Sequence, residues 1–241
     1  MASKPRFFEK GQPVHIISRA LTDVFKNQED CYRFIFQFYT ANIGRKSSNL
    51  TMRDAAMVGE ALLQGEKISS KFIIEEHDPL ADLLDFSLVV NHNHFCLIPN
   101  AENAIPILMG KLNNGFAKYF NITHKRKDAV FGSRYKGVPI TTDFQSYAVC
   151  RYISIINPLD VFQPGWREGG LKNPKEAMDF LTNYEFSSFP DRINKRSASI
   201  LAPKDVLEKY AFQTNSESGR IEFQNFVEEF LKEKSQFIYL E

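Results

Sequence analysis

The segment Asn91-His92-Asn93-His94-Phe95 holds the side chains best suited to chemistry. On an extended strand successive side chains alternate between faces, so His92 and His94 project to the same side with one residue between them. Two neutral imidazoles so placed can hold a divalent cation, each ring oriented through its second nitrogen. The pair is incomplete for zinc, which takes a third protein ligand, and no HExxH helix accompanies it. A hard cation such as Mg2+ or Mn2+ would complete its shell with amide, water or phosphate oxygen. Its use would be to polarise a phosphate oxygen in phosphoryl transfer. The competing reading is a structural histidine pair that binds nothing.

Two further features point toward phosphate chemistry. In AVCRYISIINP, Tyr152 follows Arg151, and Asn157 lies five residues on. A tyrosine phenolate can attack phosphorus and form a covalent intermediate, dividing strand cleavage and rejoining into two steps. The same Tyr could equally be the surface edge of an amphipathic helix. Residues 111–151 carry eight Lys and Arg against Asp128 and Asp143, a net of +6. Phe116, Tyr119, Phe120, Phe131 and Tyr135 are interleaved with those cations. Cations for phosphates and ring faces for unstacked bases suit single-stranded nucleic acid. The alternative is a solvated basic loop whose rings point into the core.

The elements that must position these residues are legible in outline. A β-branched strand over 13–20 precedes a helix from Asn27, with Asn27 and Asp30 forming its N-terminal cap and Gly44 its end. Residues 45–82 read as an insertion with a helix in LTMRDAAMVGEALLQGEK. One apolar strand is expected over Leu84 to Pro99, then a helix over 104–122 and a strand region in FGSRYKGVPITT. Asp143 is expected to cap the helix DFQSYAVCRYISII, which Asn157-Pro158 stops. Further helices are expected at about 174–183 and near 221–233, separated by the loop FSSFPDR. This order predicts an α+β fold with helices packed on one face of an antiparallel sheet.

The 241 residues include 22 Phe, enough ring surface for a substantial core. The formal charge of +1 excludes binding of nucleic acid through bulk charge. That total is a cancellation, because residues 51–85 carry a net of −5 against the +6 of residues 111–151. Cys31, Cys96 and Cys150 lack CxxC spacing and give no disulfide framework. No run approaches the apolar length of a membrane span, and the first residues lack an apolar signal region. A reduced, cytoplasmic protein is the expectation.

Taken in order, these segments resemble the single-tyrosine HUH transposases, specifically the REP-associated tyrosine transposases. Val14-His15-Ile16-Ile17-Ser18-Arg19 looks like that family's opening strand, and LDFSLVVNHNHFCLIP like the strand bearing its paired histidines. Phe116-Ala117-Lys118-Tyr119-Phe120-Asn121 followed by Val130-Phe131-Gly132-Ser133-Arg134-Tyr135-Lys136 resembles its helix-then-strand block. Arg151-Tyr152-Ile153 with Asn157-Pro158 is similar to its tyrosine helix, and Phe186-Ser187-Ser188-Phe189 to the loop that follows.

The resemblance covers residues 10–195, leaving the helical insertion at about 45–82 and a C-terminal helical extension over 196–241 outside it. It implies a ferredoxin-like sheet and a bacterial, nucleoid-associated enzyme acting on hairpin-forming single-stranded DNA. His92, His94 and Asn157 would hold Mg2+ or Mn2+ on the scissile phosphate. Tyr152 would attack it, leaving a 5′-phosphotyrosine link and a free 3′-hydroxyl. Arg19, Lys118, Lys125, Arg126, Lys127, Arg134 and Lys136 are the cations expected on DNA. No nucleotide cofactor and no membrane is implied, and monomer and homodimer are both open.

The chain departs from the family pattern at two places in the site. Asn93 stands where the family has a hydrophobe, on the face turned from the metal, and so requires a polar partner or water. Asn157 is five residues from Tyr152 rather than four. In a regular α-helix four residues leave side chains about 40° apart, whereas five leave them about 140° apart. A π-turn or loosened turn between them is therefore predicted. These departures motivate a second hypothesis, a domesticated DNA-binding protein without cleavage activity. A third is an unrelated metal hydrolase using His92 and His94, favoured if the basic and aromatic block is buried.

Overall fold

The computed structural model describes residues 7–48, 50–210 and 217–236, with the backbone alone at 217, 218, 220 and 236. Strand β1 (Val14–Arg19) buries Val14, Ile16 and Ser18 on one face and turns His15, Ile17 and Arg19 to the other. Helix α1 (Gln28–Ile43) starts where the sequence indicates, Asn27 Oδ1 accepting from the Asp30 N–H at 2.8 Å. It ends at Gly44, where a Cβ would collide with the Ile74 carbonyl. That close approach pairs β2 (Gly44–Lys46) with β3 (Ile73–Glu75) on either side of α2 (Met52–Leu63), which Thr51 and Asp54 close with a capping box.

The apolar run expected as one strand is two. Strand β4 (Ala81–Val89) and β5 (His92–Pro99) pair antiparallel, with Val89 opposite His92, so Val90 and Asn91 form the turn. Both strands are buried on both faces, so the run stays apolar throughout, and a turn without Gly leaves little compositional mark. Helix α3 (Ala104–Thr123) leads to the short edge strand β6 (Lys136–Pro139), less than the strand region expected.

The sheet order is β4-β5-β1-β6, every pairing antiparallel, with α1 between β1 and β4 and α3 between β5 and β6. This is the ferredoxin-like arrangement of an α+β fold. The outer edge of β4 is covered by the FSSF segment: Leu88 N–H donates to Phe186 O at 2.9 Å and Ser188 N–H to Phe86 O at 3.0 Å. Helices α1 and α3 share one face as expected, packing Phe34, Phe38 and Phe116 on Phe95. The Phe38–Phe95 and Phe34–Phe116 ring centroids are each 4.9 Å apart.

The opposite face is covered too. Helix α4 (Asp143–Arg151), a π-turn (Tyr152–Ile156) and α5 (Asn157–Phe162) form one continuous rod, and Cys150 and Ile153 cluster with Leu84, Cys96 and Ile98 of the sheet. Two local expectations are corrected on this rod. Thr142 is the N-cap, accepting from the Gln145 N–H at 3.2 Å, and Asp143 is the first helical residue. Asn157-Pro158 does not stop the helix: Pro158 follows the π-turn directly, and the rod continues to Phe162.

Helices α6 (Trp166–Gly169), α7 (Pro174–Asn183), α8 (Phe189–Arg192), α9 (Lys204–Lys209) and α10 (Glu217–Gln236) follow. Val227, Phe230 and Leu231 of α10 join Ile155, Leu159, Leu181 and Phe189 in a second core. Beneath the rod, Arg192 Nη2 holds the fully buried Asp85 at 2.6 Å, and Ser188 donates to the same carboxylate. Burial lifts the Asp85 carboxyl to about 6 against the pull of Arg192.

Candidate active site

Strand alternation and one irregular turn assemble the site on the face opposite α1 and α3. His92 and His94 share a face of β5 as the spacing requires, their ring centroids 5.0 Å apart. The rod lays Tyr152 over them, with its ring 5.4 Å from that of His94. The predicted π-turn is present: the Asn157 N–H bonds Tyr152 O, an i→i+5 link that brings Asn157 one wide turn beyond Tyr152. Asn157 is fully buried, and neither of its amide atoms has a hydrogen-bond partner.

A third histidine belongs to the cluster. His15 of β1 stacks on His94 at 5.2 Å between centroids, its Nε2 lies 3.0 Å from His94 Nδ1, and its ring is 6.1 Å from Tyr152. Alternation along β1, which puts His15, Ile17 and Arg19 on one face, was the signal for it. No spacing pattern signals the other addition, Arg167. Its guanidinium lies 5.4 Å from the Tyr152 ring centroid and donates to Asp160 at 2.9 and 2.5 Å. Asp160, with a smaller contribution from Tyr152, holds the guanidinium pKa above its ordinary value.

The imidazoles are neutral at physiological pH. Burial lowers His15 and His92 to about 4 each. Burial, then the positive surroundings of His15, His92, Arg19 and Arg167, takes His94 to about 2. Proton placement follows from the partners. His92 Nδ1 lies 2.8 Å from Asn91 Oδ1, an acceptor, so Nδ1 carries the hydrogen and Nε2 keeps its lone pair. A hydrogen bond from His94 Nδ1 to His15 Nε2 would leave His94 Nε2 a lone pair as well, and that atom is buried without a hydrogen-bond partner. Two free imidazole lone pairs and an orphaned amide oxygen fit a divalent cation in donor chemistry. Among the described residues no three His, Cys, Asp or Glu side chains are grouped to hold a metal.

The expected DNA contacts divide. Arg19 lies opposite His92 in the β1–β5 register, and its charge is felt at both His92 and His94. Lys136 of β6 pairs with Ile17, itself opposite His94, and so shares the histidine face at an exposed edge. Lys125, Arg126, Lys127 and Arg134 lie on the loop between α3 and β6. The Ala20–Phe131 bridge and the Leu21 N–H to Val130 O bond anchor that loop beside the end of β1 nearest His92. Lys118 is not brought to the site: it lies beside α1 on the helix-covered face.

The interleaved rings serve the core rather than bases. Phe116, Tyr119, Phe120 and Tyr135 are all buried, whereas Phe144 and Tyr147, one turn apart on α4, are 83% and 61% exposed. Asn93 faces α1 and α3 as expected, but the polar partner required of it is missing, since both of its amide atoms are unpaired.

Among the described residues no helix is long and apolar enough to cross a membrane. No family model matches the chain, and no curated protein matches it. Among solved structures the chain is similar to the REP-associated tyrosine transposase bound to a REP hairpin, with 12% identical residues and a TM-score of 0.46 over 85% of this chain and 93% of that one.

Proposed function

We propose that the protein is a metal-dependent single-stranded DNA endonuclease and strand transferase that works through Tyr152 on hairpin-forming DNA. The observation that carries this reading is the grouping of His15, His92, His94 and a half-buried Tyr152 on one sheet face, with a π-turn between Tyr152 and the buried, unpaired amide of Asn157. His92 Nε2, His94 Nε2 and the Asn157 amide oxygen would hold Mg2+ or Mn2+. Bound there, the cation supplies positive charge to a phosphate oxygen.

The chain's own groups account for the remaining requirements. Tyr152 Oη gives up its proton to solvent and forms a bond to phosphorus as the bond to the 3′-oxygen breaks; that oxygen leaves with the electron pair and takes up a proton from solvent as the 3′-hydroxyl. Arg167, fixed by Asp160, sets a guanidinium beside the ring to favour charge on the attacking oxygen. Attack by a second 3′-hydroxyl reverses the step and joins strands, and because one phosphodiester replaces another, no nucleotide cofactor is required. Arg19, Lys136 and the loop cations Lys125, Arg126, Lys127 and Arg134 supply phosphate contacts leading to the site.

The test is incubation of the full chain with labelled hairpin-containing single strands and Mg2+ or Mn2+. A protein–DNA adduct that survives denaturation, requires the cation and disappears in Tyr152→Phe is the expected result. An adduct that persists in Tyr152→Phe removes Tyr152 as nucleophile. A second reading, DNA binding without cleavage, draws on the His15 contact that occupies His94 Nδ1. Saturable hairpin binding with no adduct under either cation would favour it.

A further inference from the structure

Away from the histidine cluster, one arginine is buried without a partner. Arg33 of α1 is 6% exposed, and its Nε and Nη1 make no hydrogen bond. Its guanidinium carbon sits 5.0 Å from the Phe36 ring centroid and 5.1 Å from that of Tyr119. Aromatic faces offset only part of the cost of burying a charge that has no counterion. Burial also draws the guanidinium pKa downward, yet arginine remains protonated at any ordinary pH.

Arg33 lines a cleft of about 420 Å3 between α1, α3 and β2. Lys46, Lys111 and Lys118 line it too, exposed and in no ion pair among the described residues, while Arg45 is held by Glu76 at 2.7 Å. Among the described residues no acidic side chain lines it. Met52 and Ile122, 53% and 61% exposed, give it an apolar rim. A planar guanidinium at the base offers a fork of N–H donors, and ammonium groups around the mouth add point charges, which together match a tetrahedral oxyanion.

We propose that this cleft is a phosphate-binding site with Arg33 as its anchor, taking either the phosphate of a small phosphorylated ligand or a backbone phosphate of nucleic acid. It lies across the sheet from Tyr152 and uses none of the residues of the proposed reaction, so either can fail without the other. The full chain is titrated calorimetrically with inorganic phosphate, pyrophosphate, thymidine monophosphate and an unstructured oligothymidine, at constant ionic strength.

Saturable binding of at least one probe is expected, weakened roughly tenfold or more in Arg33→Met, where a charge-assisted fork is lost. The surface variant Lys111→Ala/Lys118→Ala should weaken it as well, and it decides the matter if Arg33→Met does not fold. Uptake of the small phosphates marks a small-ligand site. Oligothymidine binding that shows the same variant dependence, without uptake of the small phosphates, marks a backbone contact. Unliganded Arg33→Met should also melt at higher temperature than the native chain, because an unpaired charge is removed, whereas a purely structural arginine would melt lower on replacement. No binding of any probe, or binding unchanged in both variants, overturns the proposal.

Discussion

Along β5, Phe95 and Leu97 face α1 and α3, while His92 and His94 face the rod that carries Tyr152. The first environment is nearly all hydrocarbon, with Phe34, Phe38, Phe86, Phe95 and Phe116 fully buried together. The second buries His15, Asp85, Ser87 and His94 at comparable depth, and the Ser87 hydroxyl and His94 Nε2 find no partner. One strand thus separates a face that holds the fold together from a face that costs stability. Polar groups without partners are expensive, and those at Ser87 and His94 lie on the same face as the proposed nucleophile.

The sharpest way to break this comparison is to exchange one ring on each face. Phe95→Ala should cost about 3–5 kcal/mol, through lost burial and the cavity left behind, and lower the denaturant midpoint accordingly. The fraction that remains folded should still cleave. Tyr152→Phe should do the reverse, cutting adduct formation by roughly a thousandfold or more while leaving the midpoint unchanged. Loss of stability in Tyr152→Phe, or loss of cleavage by folded Phe95→Ala, would show that the two faces are not functionally separate.

The next effect is a pH dependence confined to the histidine face. His15 has a folded value near 4 against 6.5 unfolded, so the unfolded chain binds more protons between those values. Its contribution is complete above about pH 6.5 and is lost as pH falls toward 4, on the order of 2–3 kcal/mol at about 1.4 kcal/mol per pH unit. Asp85, raised from 3.8 to about 6, slopes the opposite way across the same window and partly masks it. The difference between the native chain and His15→Gln isolates the histidine: the variant should lose less stability between about pH 7 and pH 4 in chemical denaturation. Parallel curves for the two proteins would contradict the assignment.

The histidine spacing, the cap of α1 and the five-residue offset of Asn157 were legible because each is a local rule about alternation, capping or helical turn. The offset was the most informative, since it conflicts with a straight α-helix and is met by the π-turn. The hairpin at Val90-Asn91 was hidden because burial on both faces keeps the run apolar through the turn. Alternation along β1 sets the face of His15 but not its pairing with β5, and Arg167 reaches the site through packing between α5 and α6, which no local pattern encodes. The rings of residues 111–151 misled for a related reason: their spacing with cations resembles a base-stacking surface, but helical period sends Phe116, Tyr119 and Phe120 inward.

The finest contrast is between two asparagines with the same defect on opposite faces. Asn93 and Asn157 are both fully buried, and all four of their amide atoms lack hydrogen bonds. Asn93 lies between Ser18 and Leu88 on the hydrocarbon side, where nothing assigns it a ligand. Asn93→Leu keeps the branched shape and removes the unpaired amide, so it should stabilise the fold by about 1–2 kcal/mol and leave the cation dependence of cleavage intact. Asn157→Leu should bring a similar gain, but at the cost of the cation response, read as a rise in the Mn2+ concentration needed for half-maximal adduct formation. If both variants gain stability and neither alters that concentration, the unpaired amide of Asn157 is a packing defect like that of Asn93, and the metal would have to be held by the imidazoles alone.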